Sequence, residues 1–346
     1  MLAKVIICKI DNIIYTNAYN IDGKLEYYLQ DLVEPFLESI YLAKITSINK
    51  HNRLAFIDYL NNKVGVINLP IKNKLQTGSK ILCQMRWRGD NNKYAKFSSE
   101  VKLIGKYVIL TNDKNHHYSQ ALNKRKDLKE ISNKFKDYGI IFRSAINDLE
   151  DLSVVEKEIL LLILKQDKIY KLSNSSEKLL LMQGVGNYIQ LLRDSKLSKD
   201  CNIIVNDEEI FQIVKQYLDL WLIREITLDS QAKIIDALKT LDDVVKINNG
   251  SLVFHKLSGI NLIDINSYSS KLDFYHVNYL AIDEIVRLTK LYDLNGIILI
   301  DFIKNMSIQQ QKNLIDILNA KFIEDWKHVR ILGFTKSGIC EIIRNK

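Results

Sequence analysis

Cysteine, proline and long apolar runs are all scarce in this sequence of 346 residues, and each scarcity closes off an interpretation. Cys8, Cys83, Cys201 and Cys340 are widely scattered. They offer neither the paired spacing of a zinc site nor a disulfide framework. All four read as buried apolar thiols of a reducing compartment. Proline occurs only at Pro35 and Pro70, while Ile, Lys and Asn are abundant, a bias that lowers the weight of the raw lysine count. EILLLILK, the most apolar stretch of the middle, is far too short to span a bilayer. The opening MLAKVIICKIDNIIY is interrupted by Lys4, Lys9 and Asp11, and no signal-type cleavage site follows. The expectation is a cytoplasmic protein without a membrane span. Gly184 and Gly186 in KLLLMQGVGNYIQLLRD lack a strand-to-helix context, which argues against a dinucleotide loop.

What is present is the composition of a globular protein, 47% hydrophobic and 26% charged, with room for two or three domains. Forty-nine basic residues against 41 acidic ones leave a formal charge of +8. That permits a polyanionic partner, although a solvated basic surface explains it as well.

The period of the apolar residues divides the chain. Residues 3–30 read as a hairpin or meander turning at NIDG. From Tyr41 the pattern becomes short, closely spaced strands, and five antiparallel strands in about 65 residues suggest a small barrel of the OB type. Tyr41, Phe56, Tyr59, Trp87 and Tyr94 alternate with Lys44, Arg53, Arg86, Arg88 and Lys93. Such interleaving suits a stacking platform for single-stranded nucleic acid, while barrel aromatics are more often core. NKRKDLKEISNKFKDYGIIFRSAI reads as a basic helix running into a strand that ends at Arg143 and Ser144. A guanidinium fork beside a hydroxyl can hold a phosphate. SVVEKEILLLILKQ opens with a capping box from Ser153 to Glu156 and reads as a helix. SQAKIIDALKTL reads as another, with Ile234, Ile235 and Leu238 on one side.

The last third alternates strands and helices. A hairpin around NNG leads into the strand INLIDIN, then a helix through NYLAIDEIVRLTKLYDLNG closed by Asn295 and Gly296. IILIDFI is a buried strand, QQQKNLIDILNAKFIEDW a helix, and VRILGFT the last strand. Asp264 and Asp301 each end a buried strand, 301 − 264 = 37 residues apart with one helix between. That spacing is a crossover unit, which sets both strands in one sheet and can bring both carboxylates to one edge. Two buried carboxylates without a partner repel unless a divalent cation removes the cost, and magnesium, which keeps several waters and takes one or two carboxylates plus a phosphate, fits better than zinc does. Asn266 could orient Asp264. The alternative is that each Asp caps the turn or helix after it.

These stretches are also specific. INLIDINS, the run NYLAIDEIVRLTKLYDLNGIILIDFIKNM and VRILGFTKSGICEIIR resemble the ribonuclease E/G family of bacterial endoribonucleases. IYLAKITSINKHNRLAFIDY and GKYVIL resemble the start and end of that family's OB-fold domain, and GIIFRSA its 5′-sensor strand. The resemblance implies an α/β multidomain protein. An RNase H-like domain (1–39 and 178–240) would be split by an OB-fold RNA-binding domain (40–105) and a 5′-sensor domain (106–177). A DNase I-like α/β catalytic domain (241–346) would follow. It further implies that Asp264 and Asp301 bind Mg2+ and that Asn266 orients Asp264. Phe56 and Lys93 would contact RNA, and Arg143 with Ser144 would take a 5′-monophosphate.

Several positions depart from the family pattern. Val66 stands where a second barrel aromatic is usual, and HHYSQAL replaces a Gly-Gly loop and its arginines. Ser258 and Leu280 replace glutamates, and SYSSKLDFYH shortens a Gly-rich loop. The paired cysteines of a shared zinc site are missing, so no structural zinc and a monomer or weak homodimer are expected. The implied activity is a magnesium-dependent endoribonuclease cutting single-stranded RNA to 5′-phosphate and 3′-hydroxyl ends, in mRNA decay or rRNA processing. The other reading is a catalytically weakened RNA-binding protein on the same scaffold.

Overall fold

Among the described residues more lie in short β-strands than in helices, and most of the strand pairings are antiparallel. The computed structural model describes residues 1–32, 37–60, 62–69, 75–89, 93–123, 125–174, 177, 179–221, 226–236, 244–257, 259–268 and 273–345. Leu238, Ser258 and residues 269–272 of the shortened loop lie outside the described residues. The first strands are β1 (Leu2–Ile10), β2 (Ile13–Asn20) and β3 (Leu25–Leu32). Next come β4 (Ile40–Asn49), β5 (Leu54–Leu60), β6 (Lys63–Asn68), β7 (Lys80–Trp87) and β8 (Ala95–Ser98). A mixed stretch holds β9 (Leu103–Ile104), β10 (Val108–Thr111), β11 (His116–Tyr118), α1 (Lys129–Lys134), β12 (Gly139–Phe142) and α2 (Ser153–Ser173). It is followed by β13 (Leu179–Met182), α3 (Asn187–Asp194), β14 (Leu197–Val205), α4 (Glu208–Leu220) and β15 (Ile226–Leu228). The last part holds β16 (Val244–Ile247), β17 (Gly250–Leu257), β18 (Ile260–Ser267) and α5 (Phe274–Leu291). It ends with β19 (Gly296–Asp301), α6 (Ile308–Phe322), β20 (His328–Phe334) and β21 (Ile339–Asn345). The chain divides into two units, Met1–Asp31 with Gln190–Lys215 and Glu225–Lys346, and Leu32–Ile189 with Gln216–Arg224.

The first unit contains two sheets. One, in the order β15-β14-β1-β2-β3, joins the start of the chain to residues two hundred positions later, with β1 parallel to β14. The other has the order β16-β17-β18-β19-β21-β20, and only β18 and β19 in it run parallel. Helix α5 buries Val277, Ala281, Ile282 and Ile285 against Ile263, Ile265, Ile298 and Ile300, while α6 adds Leu314 and Leu318. Each large side chain so buried is worth about 1.5–3 kcal/mol.

Three sequence expectations change in this unit. The last strand is β21, and it inserts between β19 and β20. Residues 230–236 are not helical, because the Asn17 side chain takes up both backbone groups of Ile235, accepting its N–H (2.7 Å) and donating to its carbonyl (3.1 Å). Helix α5 stops at Leu291, before Asn295 and Gly296, through Asp293 at φ 47°. The Asp293 N–H reaches Lys290 O and the Leu294 N–H reaches Thr289 O, the paired bonds of a left-handed helix end. Aspartate tolerates that conformation, and its carboxylate is needed nearby.

The need is a buried ion network. Arg344, fully buried, donates to both oxygens of Asp325 (2.6 and 3.1 Å), to Asp293 Oδ1 (3.0 Å) and to Leu294 O (3.0 Å). Lys327 also bonds Asp293, and Tyr27 on β3 donates to Asp325 (3.4 Å). The two carboxylates hold the guanidinium well above its usual range although burial pulls it down.

The second unit contains a closed barrel. Its strands follow the order β4-β5-β6-β8-β7, and β7 pairs back onto β4. The pairing is not all antiparallel as expected, since β6 and β8 run parallel. Tyr41 and Tyr59, grouped with the exterior aromatics by sequence, are buried and pack with Phe97 inside the barrel. Strand β13 pairs with β4, so residues 179–189 belong with this unit, and the return to the first sheet begins at β14. The loop from β13 to α3 does connect a strand to a helix. Its glycine serves packing, because a Cβ on Gly184 would overlap Leu37 O and its N–H donates to Ser39 Oγ (2.8 Å).

A second small sheet, β11-β12-β10-β9, packs on α2. The start of α2 is stabilised by Asp151, which accepts from the Ser153 N–H (2.8 Å) and hydroxyl (2.5 Å). The expected capping box does not form, and Glu156 pairs with Lys134 instead. All four cysteines are free and buried. Burial pushes Cys8 and Cys201 up to about 11 and Cys340 up to about 12, so these thiols stay protonated. No helix among the described residues is long and apolar enough to cross a membrane.

Replacing Arg344 with Met should lower stability by about 3–5 kcal/mol in urea unfolding, because Asp325 would be left buried without its guanidinium and Asp293 would lose the guanidinium while keeping Lys327. A loss below about 1 kcal/mol would mean that water or Lys327 compensates.

Candidate functional site

Asp264 and Asp301 are register partners on the last rung that the parallel strands β18 and β19 share. Beyond it β18 continues to Ser267 paired with β17 alone. Ile263, Ile265, Ile298 and Ile300 turn to the helices, so alternation projects both aspartates from the opposite face. Both are half-buried, and Asn266, exposed two residues on, donates from Nδ2 to Asp264 Oδ2 (2.8 Å).

Neither aspartate caps the helix that follows its strand. Asp273 caps α5, accepting from the Tyr275 N–H (3.1 Å). Ser307 caps α6 in a reciprocal box with Gln310. Among the described residues no group of three or more His, Cys, Asp and Glu side chains could hold an ion, and the pair on this rung is two carboxylates. Hard oxygen donors in that number fit magnesium, which keeps several waters.

One supporting residue is not apparent from the strand motifs. Asn278, fully buried on α5, donates to Ile303 O (2.9 Å) and accepts from the Ile303 N–H (3.0 Å). Its amide therefore fixes the backbone two residues after Asp301. The available signal was an amide within the apolar stripe of a helix.

In the barrel, Phe56 on β5 faces outward opposite Val66 on β6, and Val66 is in turn opposite Lys96 on β8. Tyr94, 56% exposed, meets Phe56 edge to face at 5.5 Å. Exposed Lys93 precedes it, and Lys96 lies over the Trp87 ring at 5.5 Å. Phe56, Lys93, Tyr94 and Trp87 thus share the exterior, and Phe56 has a second aromatic beside it in Tyr94.

Arg143 follows β12 directly, and exposed Ser144 opens a single 3-10 turn through Asp148. The Arg143 backbone N–H donates to Tyr107 O (2.8 Å) and its Nη1 to Gly105 O (2.6 Å). HHYSQAL supplies β11, where Tyr118 stacks on Phe142 at 5.1 Å. Arg125 lies over the Tyr118 ring at 5.9 Å and donates to Ser119 O (3.0 Å), which brings a second guanidinium to this sheet.

Comparison with known proteins gives the family. The model of the ribonuclease E/G family matches residues 102–346, and the chain belongs to that family. Ribonuclease E of Escherichia coli (strain K12) is 23% identical over 94% of this chain and 35% of its own length. Putative ribonuclease E of Buchnera aphidicola subsp. Baizongia pistaciae is 26% identical, over 88% of this chain and 85% of its own. A ribonuclease E/G-like protein of Porphyra purpurea is 22% identical over 90% and 69%. The chain spans about a third of the length of several of the ribonuclease E proteins it matches.

Facing carboxylates on neighbouring strands destabilise a sheet by about 0.2–1 kcal/mol. Asp301→Asn should therefore raise the melting temperature slightly in chelator, and magnesium should raise it for the wild type only. A wild-type midpoint indifferent to magnesium would count against an ion at this rung.

Proposed function

We propose that this chain is a metal-dependent endoribonuclease that cuts single-stranded RNA, leaving 5′-phosphate and 3′-hydroxyl ends, in RNA processing or decay. The register pairing of Asp264 with Asp301 carries the reading. These two residues would hold magnesium, which when bound supplies Lewis-acid charge for in-line attack of water on a phosphodiester. Asn266 keeps the Asp264 carboxylate in one orientation, and Asn278 holds the strand exit beside Asp301. On this reading β4–β8 form an OB fold, and the sheet β9–β12 with α2 is a 5′-end sensor that takes a terminal phosphate on Arg143 and Ser144. The sheet around β1 is RNase H-like and the one around β18 DNase I-like.

Asp264→Asn and Asp301→Asn should each abolish cleavage in magnesium while RNA binding and folding persist. Asn266→Ala should cost about 10–100-fold, the usual effect of removing a group that orients a metal ligand. Folded Asp→Asn variants that still cut RNA at a substantial rate would refute the assignment. A wild type that binds RNA with no magnesium-dependent cleavage would favour the RNA-binding scaffold instead.

Phe56 and Tyr94 are the stacking pair on this reading, flanked by Lys93. Phe56→Ala and Tyr94→Ala should each weaken single-stranded RNA binding by about 1–3 kcal/mol, and Val66→Ala should change it little. Measured affinities that ignore Tyr94 would leave Phe56 as a lone platform.

A further inference from the structure

Glu158 sits on α2 with 1% of its surface exposed. Its Oε1 accepts from the Lys106 N–H (2.8 Å) and from Trp221 Nε1 (3.2 Å). Its Oε2 accepts from the N–H groups of Tyr107 (2.8 Å) and Val108 (3.0 Å). Three successive backbone donors therefore converge on one carboxylate, in the tight turn between β9 and β10 that the Gly105 N–H closes onto Val108 O (2.8 Å). Burial pulls the ammonium of Lys165, farther along α2, down, and Glu158 partly offsets this.

The carbonyls of the same turn point elsewhere. Gly105 O belongs to the peptide group whose N–H is that of Lys106, and it accepts from Arg143 Nη1. Tyr107 O belongs to the peptide group whose N–H is that of Val108, and it accepts from the Arg143 backbone N–H. Two peptide groups thus stand between an anion and Arg143, each with its N–H on the carboxylate and its C=O on Arg143. A peptide dipole is stabilised by negative charge at its N–H end and by positive charge at its carbonyl end. The arrangement links Glu158 to Arg143 without a direct ion pair. Gly105 is required for it, because a Cβ there would collide with the Glu158 carboxyl group.

We propose that Glu158 is a positioning residue for Arg143, setting the aim of its guanidinium at a 5′-terminal phosphate through the peptide groups 105–106 and 107–108. This rests on the reading of Arg143 and Ser144 as a 5′-end site. Glutamine at 158 would keep the shape of the side chain, but its NH2 would face a backbone N–H and break one arm of the link.

The test measures binding by the 346-residue chain, in chelator, of two oligoribonucleotides labelled at the 3′ end. They differ only in carrying a 5′-monophosphate or a 5′-hydroxyl, and the readout is the ratio of their Kd values. Wild type should prefer the monophosphate, and Arg143→Ala should remove the preference. Glu158→Gln should reduce it by about threefold to tenfold, the range for hydrogen-bonded groups that act together. The double variant should show no smaller preference than Arg143→Ala alone. If Glu158→Gln does not fold, Gly105→Ala displaces the same carboxylate from the other side and should reduce the ratio likewise. An unchanged ratio in a folded Glu158→Gln or Gly105→Ala, or an equal loss on both RNAs, overturns the positioning role while the 5′-end reading stands. A preference that survives Arg143→Ala overturns both.

Discussion

The parallel pairing of β18 with β19 is the constraint on which the candidate carboxylate centre depends. A parallel pair needs a crossover, and α5 supplies it; 18 residues rise about 27 Å, enough to return the chain along one strand length. Because side chains alternate along a strand, a slip of one residue would send one aspartate to the helix side and an isoleucine to the open face. Register is held at both ends of β19. Arg344 grips the turn before it through Asp293 and Leu294, and Asn278 grips the backbone after it at Ile303. The ion network is costly to bury, yet it sits where a register error would be most damaging.

The second unit solves a related problem with one charge instead of many. A hairpin turn has more backbone donors than its own carbonyls can satisfy, and burying it leaves those donors in need of acceptors. Glu158 takes three of them and Trp221 fills the remaining side, so the turn is rigid where Arg143 leans on it. In the barrel the interior is filled by Tyr41, Tyr59 and Phe97, which leaves Phe56, Tyr94 and Trp87 for the exterior.

Much of this was legible in the chain. Alternation marked nearly every long strand, and the 37-residue spacing of Asp264 and Asp301 implied the crossover. Local capping was less legible: Ser153 with Glu156 matches a box that does not form, because Asp151 reaches the same N–H first. Residues 230–236 carry a helical apolar pattern, yet the Asn17 amide, from a strand more than two hundred residues away, claims the backbone of Ile235. The end of α5 comes earlier than the sequence suggests, since Asp293 takes the left-handed conformation three residues before Gly296 does.

Periodicity by itself determined the classes of element, the barrel and the acidic strand ends, and quoted motifs carried the family resemblance, because each of these is written in runs of consecutive residues. The tertiary structure alone decided which strand stands beside which, that β21 divides β19 from β20, and that the two aspartates share one rung. It also decided that Tyr41 and Tyr59 are core while Tyr94 is surface. Such outcomes depend on groups far apart in the chain meeting at hydrogen-bonding distance. A local pattern specifies what a segment can pair with, and only burial and charge pairing across the whole unit select the partner.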